Sequence, residues 1–231
     1  MHVQRLYEAI APYMKASPQK LDRPESGRVL VLSPHIDDDV IGAGGTLRKH
    51  ARNGDEVRAL YFADCTDERI REAEEAASII GIGRLEFFEY KSKTLLGRRE
   101  IQDRLAGILE DYRPEIVYVP SLFDRHNDHL AVNHFLAGSC GEHRGGFTVC
   151  AYEVWSTLVP NLIVDISSSV DEKREALSRY RSQIPAHNWP DAAVSLNRYR
   201  GVTSAAGEYA EAFMRHSAPE YFRIWKSVYG R

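Results

Sequence analysis

Four short apolar runs, Val29 to Leu32, Val57 to Phe62, Leu85 to Phe88 and Ile116 to Val119, alternate with stretches of helical periodicity, and this alternation leaves few folds open. The first run is apolar at every position, so neither face of the strand it forms can meet water, as in the centre of a parallel sheet covered on both sides. Between the runs, Val40, Gly44, Leu47 and Ala51 recur at helical spacing, as do Ile70, Ala73, Ala77 and Ile80, and then Ile101, Leu105, Ile108 and Tyr112. Stops stand where the pattern needs them: Asn53-Gly54, Gly81 with Gly83, and Arg113-Pro114. Thr66 is placed to cap the second helix, whose first turn carries Asp67 and Glu68. Strands alternating with helices imply an α/β fold, Rossmann-like and doubly wound, with a mostly parallel sheet and helices on both faces.

Beyond residue 140 the order loosens. Thr148 to Glu153 and Leu162 to Ile166 read as strands, and a helix is expected from about Ser169 to Ile184, with Ser169 and Glu172 as a capping box and Pro185 as its end. Residues 185–207 carry weak signals, and the tail from Glu208 to Trp225 reads as partly helical. At 231 residues, with 43% hydrophobic and 27% charged, the chain is expected to form one domain over 1–231. Thirty Lys and Arg against 33 Asp and Glu leave no cationic excess to hold nucleic acid or an anionic membrane. Three cysteines without C-x-x-C spacing speak against a disulfide framework or a thiolate zinc site. The segment Met1 to Pro24 is too interrupted by charge for a signal peptide or a spanning helix, so a cytoplasmic location is expected.

In an open α/β sheet, ligands bind beyond the carboxyl ends of the strands, and the loops after the first and fourth runs are rich in metal-ligand types. The first is Ser33-Pro34-His35-Ile36-Asp37-Asp38-Asp39 and the second Asp124-Arg125-His126-Asn127-Asp128-His129. His35 and Asp38 are spaced to share an ion, and three consecutive aspartates repel one another unless a cation compensates them. The bland alternative is that Asp37 to Asp39 only cap the next helix. In the second loop, one imidazole can face a metal while a carboxylate orients the other; the alternative is a solvated polar loop. Gly42, Gly44 and Gly45 lack the order of a dinucleotide motif and read as close helix packing. Trp189, beside His187 and Asn188, reads as a turn tryptophan, with stacking on a sugar ring as the alternative.

Pro34-His35-Ile36-Asp37-Asp38 followed by Gly42-Ala43-Gly44-Gly45-Thr46 resembles the N-terminal motif of the LmbE-like or PIG-L family of zinc N-acetylglucosaminyl deacetylases, and His126-Asn127-Asp128-His129 is similar to its second motif. Arg71 and Glu74, leading to Ile80-Gly81, match the family's Arg-x-x-Glu helix, and Lys173, Ala176, Tyr180 and Ser182-Gln183 resemble a later segment, so the likeness spans roughly 28–184. It implies that His35, Asp38 and His129 bind one zinc ion, that Asp37 is the general base, that His126 assists with Asp128 behind it keeping it charged, and that Arg71 contacts substrate. The implied partner is a small N-acetylated amino sugar or conjugate, with no nucleic acid or membrane, and a homo-oligomer is possible. Two positions depart from the family, which usually has proline where Ile36 stands and glutamate where Asp39 stands. A non-catalytic relative and a metal-dependent hydrolase of another bond are the rival expectations.

Overall fold

Strand β2 (Val29–Ser33) shows how the sequence pattern becomes layers: Val29 and Val31 turn to one apolar cluster, Leu30 and Leu32 to the other, and all are fully buried. The computed structural model describes residues 17–140 and 146–229, so most of the N-terminal segment read for targeting signals lies outside the described residues. After β1 (Gln19–Leu21) and β2 come α1 (Asp38–Arg52), β3 (Val57–Ala63), α2 (Asp67–Ile80), β4 (Arg84–Tyr90), α3 (Arg99–Tyr112), β5 (Ile116–Pro120) and α4 (Asn127–Cys140). The remainder is β6 (Thr148–Tyr152), β7 (Leu162–Asp165), α5 (Val170–Leu177), α6 (Trp189–Ser204), β8 (Ala210–Ser217) and α7 (Ala218–Tyr229).

One eight-stranded sheet runs β1-β7-β8-β6-β5-β2-β3-β4, parallel except where β8 pairs antiparallel with β6 and β7. Helices α1, α2, α5 and α6 supply one apolar layer, and α3, α4 and α7 the other. From β2 the chain winds outward through β3 and β4, then returns to place β5 on the other side of β2. The crevice between β2 and β5 is therefore the point where winding reverses, the place where such sheets bind ligands. No helix among the described residues is long and apolar enough to cross a membrane.

The glycines of α1 do allow close packing. A Cβ on Gly42 would sit 2.2 Å from Tyr152, and one on Gly45 would sit 2.7 Å from Ile166. Beside them, the carboxylate of Glu211 accepts from the backbone N–H of Gly45 (2.9 Å) and Thr46 (2.8 Å), and Lys173 donates to Glu211 (2.7 Å) and to the Ile41 carbonyl (2.8 Å). This buried ion pair ties α5 and β8 to the helix that follows the first motif.

Two expectations are corrected. The helix after Ser169 ends at Leu177, and Ser169 makes no cap hydrogen bond; its hydroxyl donates to the Gly45 carbonyl instead. Past Ser178 the chain turns to bury Tyr180 and to give Ser182 N and Oγ to the Glu72 carboxylate. The tail from Glu208 to Trp225 is partly helical as expected, in α7, while residues 210–217 form strand β8, with Ala210, Ala212 and Phe213 buried and Glu211 partnered by Lys173. Within 185–207, where signals were weak, α6 spans sixteen residues.

Candidate functional site

Loops at the carboxyl ends of β2 and β5 carry the two His/Asp motifs, and the pairing of these strands, with Val29 opposite Ile116 and Val31 opposite Tyr118, brings them together across the reversal point. His35 Nδ1 lies 3.0 Å from Asp38 Oδ2, and His129 Nε2 lies 3.2 Å from the same oxygen. His126 completes the group: one nitrogen from each of His35, His126 and His129 falls within 4.8 Å of the others, an arrangement that can hold a metal ion. His129 is fully buried, and neither ring nitrogen is in hydrogen-bonding geometry, although Asp124 Oδ2 stands 3.3 Å from Nδ1. Buried imidazole nitrogens facing carboxylates without a bond suit a ligand awaiting its ion. The three imidazoles, with Asp38 Oδ2 within 3.2 Å of two of them, could therefore hold a divalent metal.

Carboxylates behind the imidazoles complete the arrangement. Asp128 accepts from Ser92 Oγ (2.7 Å) and Lys93 N (3.0 Å) and lies 3.1 Å from His35 Nε2. Asp128 was expected behind His126, but its carboxylate is 3.9 Å from that ring, while its backbone N–H donates to His126 Nδ1 at 3.2 Å. Asp128 thus orients His35 and Asp124 faces His129, each through a contact of the kind that fixes a ligand's ring. His126, accepting at Nδ1, carries the proton of its neutral form on Nε2.

Charge follows the geometry. Burial works against a charged His35, but Asp38 and the bonds to Asp128 and Asp38 outweigh it and raise its pKa to about 10. For His129 the same contest, with Asp38 and Asp124 opposing burial, ends at about 9. Asp38 overcomes its own burial through His129 and His35 and is held well below the carboxylate range. A bound dication would displace these protons, because imidazole ligates a metal in its neutral form. Asp37 differs: burial, then the charge of Asp38, push it up to about 7 against the opposing pull of His35 and Arg69. It occupies the N-cap position of α1, yet its side chain makes no cap hydrogen bond, so the reading of this aspartate as a simple cap is excluded. Burial lowers the pKa of His126, helped by His35 and His129, so Asp128 does not keep it charged as expected. Asp39 is absorbed by structure, accepting from Tyr61 Oη (2.8 Å) and pairing with Ser33.

Arg71 does not face this site. It is exposed on α2, half a helical turn from the buried stripe of Ala73, Ala77 and Ile80. The arginine directed at the site is Arg69, which reaches toward Asp64 after β3 and whose charge acts on Asp37. Arg69 and Glu72 have the same spacing as Arg71 and Glu74, with Glu72 buried, so the apolar stripe of α2 was the signal that could have selected them. Ser92 and Trp155 were also missed; each follows a strand, β4 and β6, at the same end of the sheet.

Residues 30–138 match the family model PIG-L, described as GlcNAc-PI de-N-acetylase. The chain is 26% identical to the diacetylchitobiose deacetylase of Thermococcus kodakarensis over 79% of its own length and 80% of the relative's. It is 27% identical to the 4-oxalmesaconate hydratase of Pseudomonas putida, over 84% and 91%. A conserved protein of Thermus thermophilus shares the fold with a TM-score of 0.74 and 27% identity, over 81% of this chain and 94% of that one. Both sequence motifs lie inside the matched segment, so residues 30–138 carry a match to the PIG-L (LmbE-like) family.

Proposed function

We propose that the chain, acting as one catalytic unit over residues 1–231, is a zinc-dependent N-deacetylase that hydrolyses the acetamide of an N-acetylated amino sugar or its conjugate. The observation that carries this reading is Asp37, a buried, uncapped carboxylate beside a cluster of three imidazoles and Asp38. Support comes from the family model and from the deacetylase relative. His35, Asp38 and His129 hold one zinc ion, which when bound supplies Lewis acidity toward the acyl oxygen and lowers the pKa of water. Asp37 accepts the proton of the attacking water; its raised pKa, near operating pH, suits a group that takes a proton and returns it. His126, neutral with its proton on Nε2, donates a hydrogen bond to the oxyanion that develops on the acetyl group. Asp37 then returns its proton to the departing amine, giving acetate and a free amino sugar. Asp128 positions His35, and Arg69, directed at the site where Arg71 is not, binds substrate hydroxyls.

A second reading rests on the comparable identity to hydratases, both in sequence and among the solved structures. The same base can activate water for addition to a double bond. Deacetylation is preferred because the family model and the deacetylase relative agree on it. The deciding variant is Asp37→Asn, which keeps the side chain's size and removes its basicity. It should retain about one zinc per chain while kcat for acetate release falls by about two to four orders of magnitude. Loss of zinc with Asp37→Asn, or an unchanged kcat, would remove Asp37 from the role of base.

A further inference from the structure

Trp155 stands three residues after the end of β6, and three ring contacts and one backbone hydrogen bond set it beside the candidate centre. Its ring plane lies 22° from that of His126 with centroids 6.2 Å apart, so the two near-parallel rings overlap only at their rims. Trp189 and His187 stand nearly perpendicular to it, at 5.0 and 5.1 Å. Its backbone N–H donates to Asp124 Oδ2 at 3.0 Å, the carboxylate that faces His129.

The loop beneath the ring is clamped. Buried Glu153 accepts from Leu158 N (2.8 Å) and pairs with the Arg200 guanidinium, which also donates to the Leu158 carbonyl (2.9 Å). Despite this anchoring, Trp155 remains 38% exposed, whereas Trp189 packs partly into the core and Trp225 against the opposite layer. A large aromatic ring fixed in place and left open to solvent has its ordering cost met before any ligand arrives.

We infer that Trp155 is the specificity platform of this site, stacking its open face on the apolar face of a pyranose ring in the substrate, with Trp189 and His187 as the supporting wall. The inference rests on the proposed deacetylase reading and deepens it by naming the part of the substrate that is recognised. Of the two tryptophans beside the site, the sequence had drawn attention to Trp189; burial and orientation transfer the ligand-facing role to Trp155.

The test compares an acetamide that has a ring with one that has none. Acetate release from N,N'-diacetylchitobiose and from N-acetylethanolamine is measured for the zinc-loaded chain, for Trp155→Ala and for Trp155→Phe. The ratio of kcat/KM for the sugar to that for the ringless acetamide should fall about tenfold in Trp155→Ala, the effect of withdrawing roughly one ring face of apolar contact, and should recover in large part in Trp155→Phe. The loss should lie in KM for the sugar. An unchanged ratio in Trp155→Ala overturns the inference, as does a loss that appears equally with both probes. If the unaltered chain releases acetate from neither probe, the deacetylase reading fails by itself, and calorimetric titration with N,N'-diacetylchitobiose decides the platform. Binding about tenfold weaker in Trp155→Ala supports it, while equal affinity, or no binding to the unaltered chain, overturns it.

Discussion

Lys173→Met tests the linkage that holds the first motif's helix in place. Lys173 and Glu211 have no exposed side-chain surface, and the lysine donates both to the carboxylate and to the Ile41 carbonyl. The substitution removes one partner of a buried ion pair, a change that costs about 3–5 kcal/mol. Glu211 retains the N–H groups of Gly45 and Thr46, which places the expected loss near the lower end, about 3 kcal/mol. For a domain of this size that corresponds to a Tm lower by about 6–12 °C. Urea denaturation followed by circular dichroism gives the free energy, and calorimetry gives Tm. The double variant Lys173→Met/Glu211→Gln removes the stranded charge and should recover at least about 1 kcal/mol relative to the sum of the single changes. A cost below about 1 kcal/mol for Lys173→Met, or strict additivity in the cycle, would show that the pair does not anchor α1 as argued.

His50, at the other end of α1, bonds Asp55 (2.7 Å) and Tyr118 (2.9 Å), and burial lowers its pKa despite Asp55. A histidine depressed in the folded state binds fewer protons there than in the unfolded chain, so its contribution to stability is lost as pH falls below about 6.5. His50→Gln should accordingly show a smaller drop in urea midpoint than the unaltered chain between pH 7.5 and 5.5; an equal or larger drop contradicts the assignment. His129→Ala should lose zinc on dialysis, and Asp124→Asn, which removes the charge facing His129 Nδ1, should weaken zinc about 10–100-fold, both read by elemental analysis and chelator competition. Full occupancy in His129→Ala would overturn the ligand set. Arg69→Ala should raise KM for an N-acetylated sugar while Arg71→Ala leaves kcat/KM within about twofold, as for a surface change; the opposite ranking would restore Arg71.

The parallel half of the sheet was legible because its strands are apolar on both faces and its helices carry clear stops, as with Gly81 in the left-handed conformation at the end of α2. Strand β8 was not, because the acidic residue near its start is tolerated through Lys173, 38 positions away, and through the N–H groups of Gly45 and Thr46, none of which has a visible relation to it in the sequence. The two His/Asp motifs were legible as a metal site from residue types and position. Their internal wiring was not: which carboxylate stands behind which imidazole depends on the parallel pairing of β2 with β5, and it gave Asp128 to His35. Arg69 and Arg71 sit two apart in a sequence that satisfies the family spacing twice, and only the burial of α2 separates them.

Hydrolysis in water enriched in oxygen-18 puts the central claim to the most direct measurement. The zinc-loaded chain, incubated with N-acetylated amino sugars, should release acetate and free amine in equal amounts, with one heavy oxygen in each acetate molecule, and Asp37→Asn should suppress both products together. Acetate without the label, no acetate from any N-acetylated sugar, or label entering a hydroxyl of an unsaturated acid instead would contradict the account.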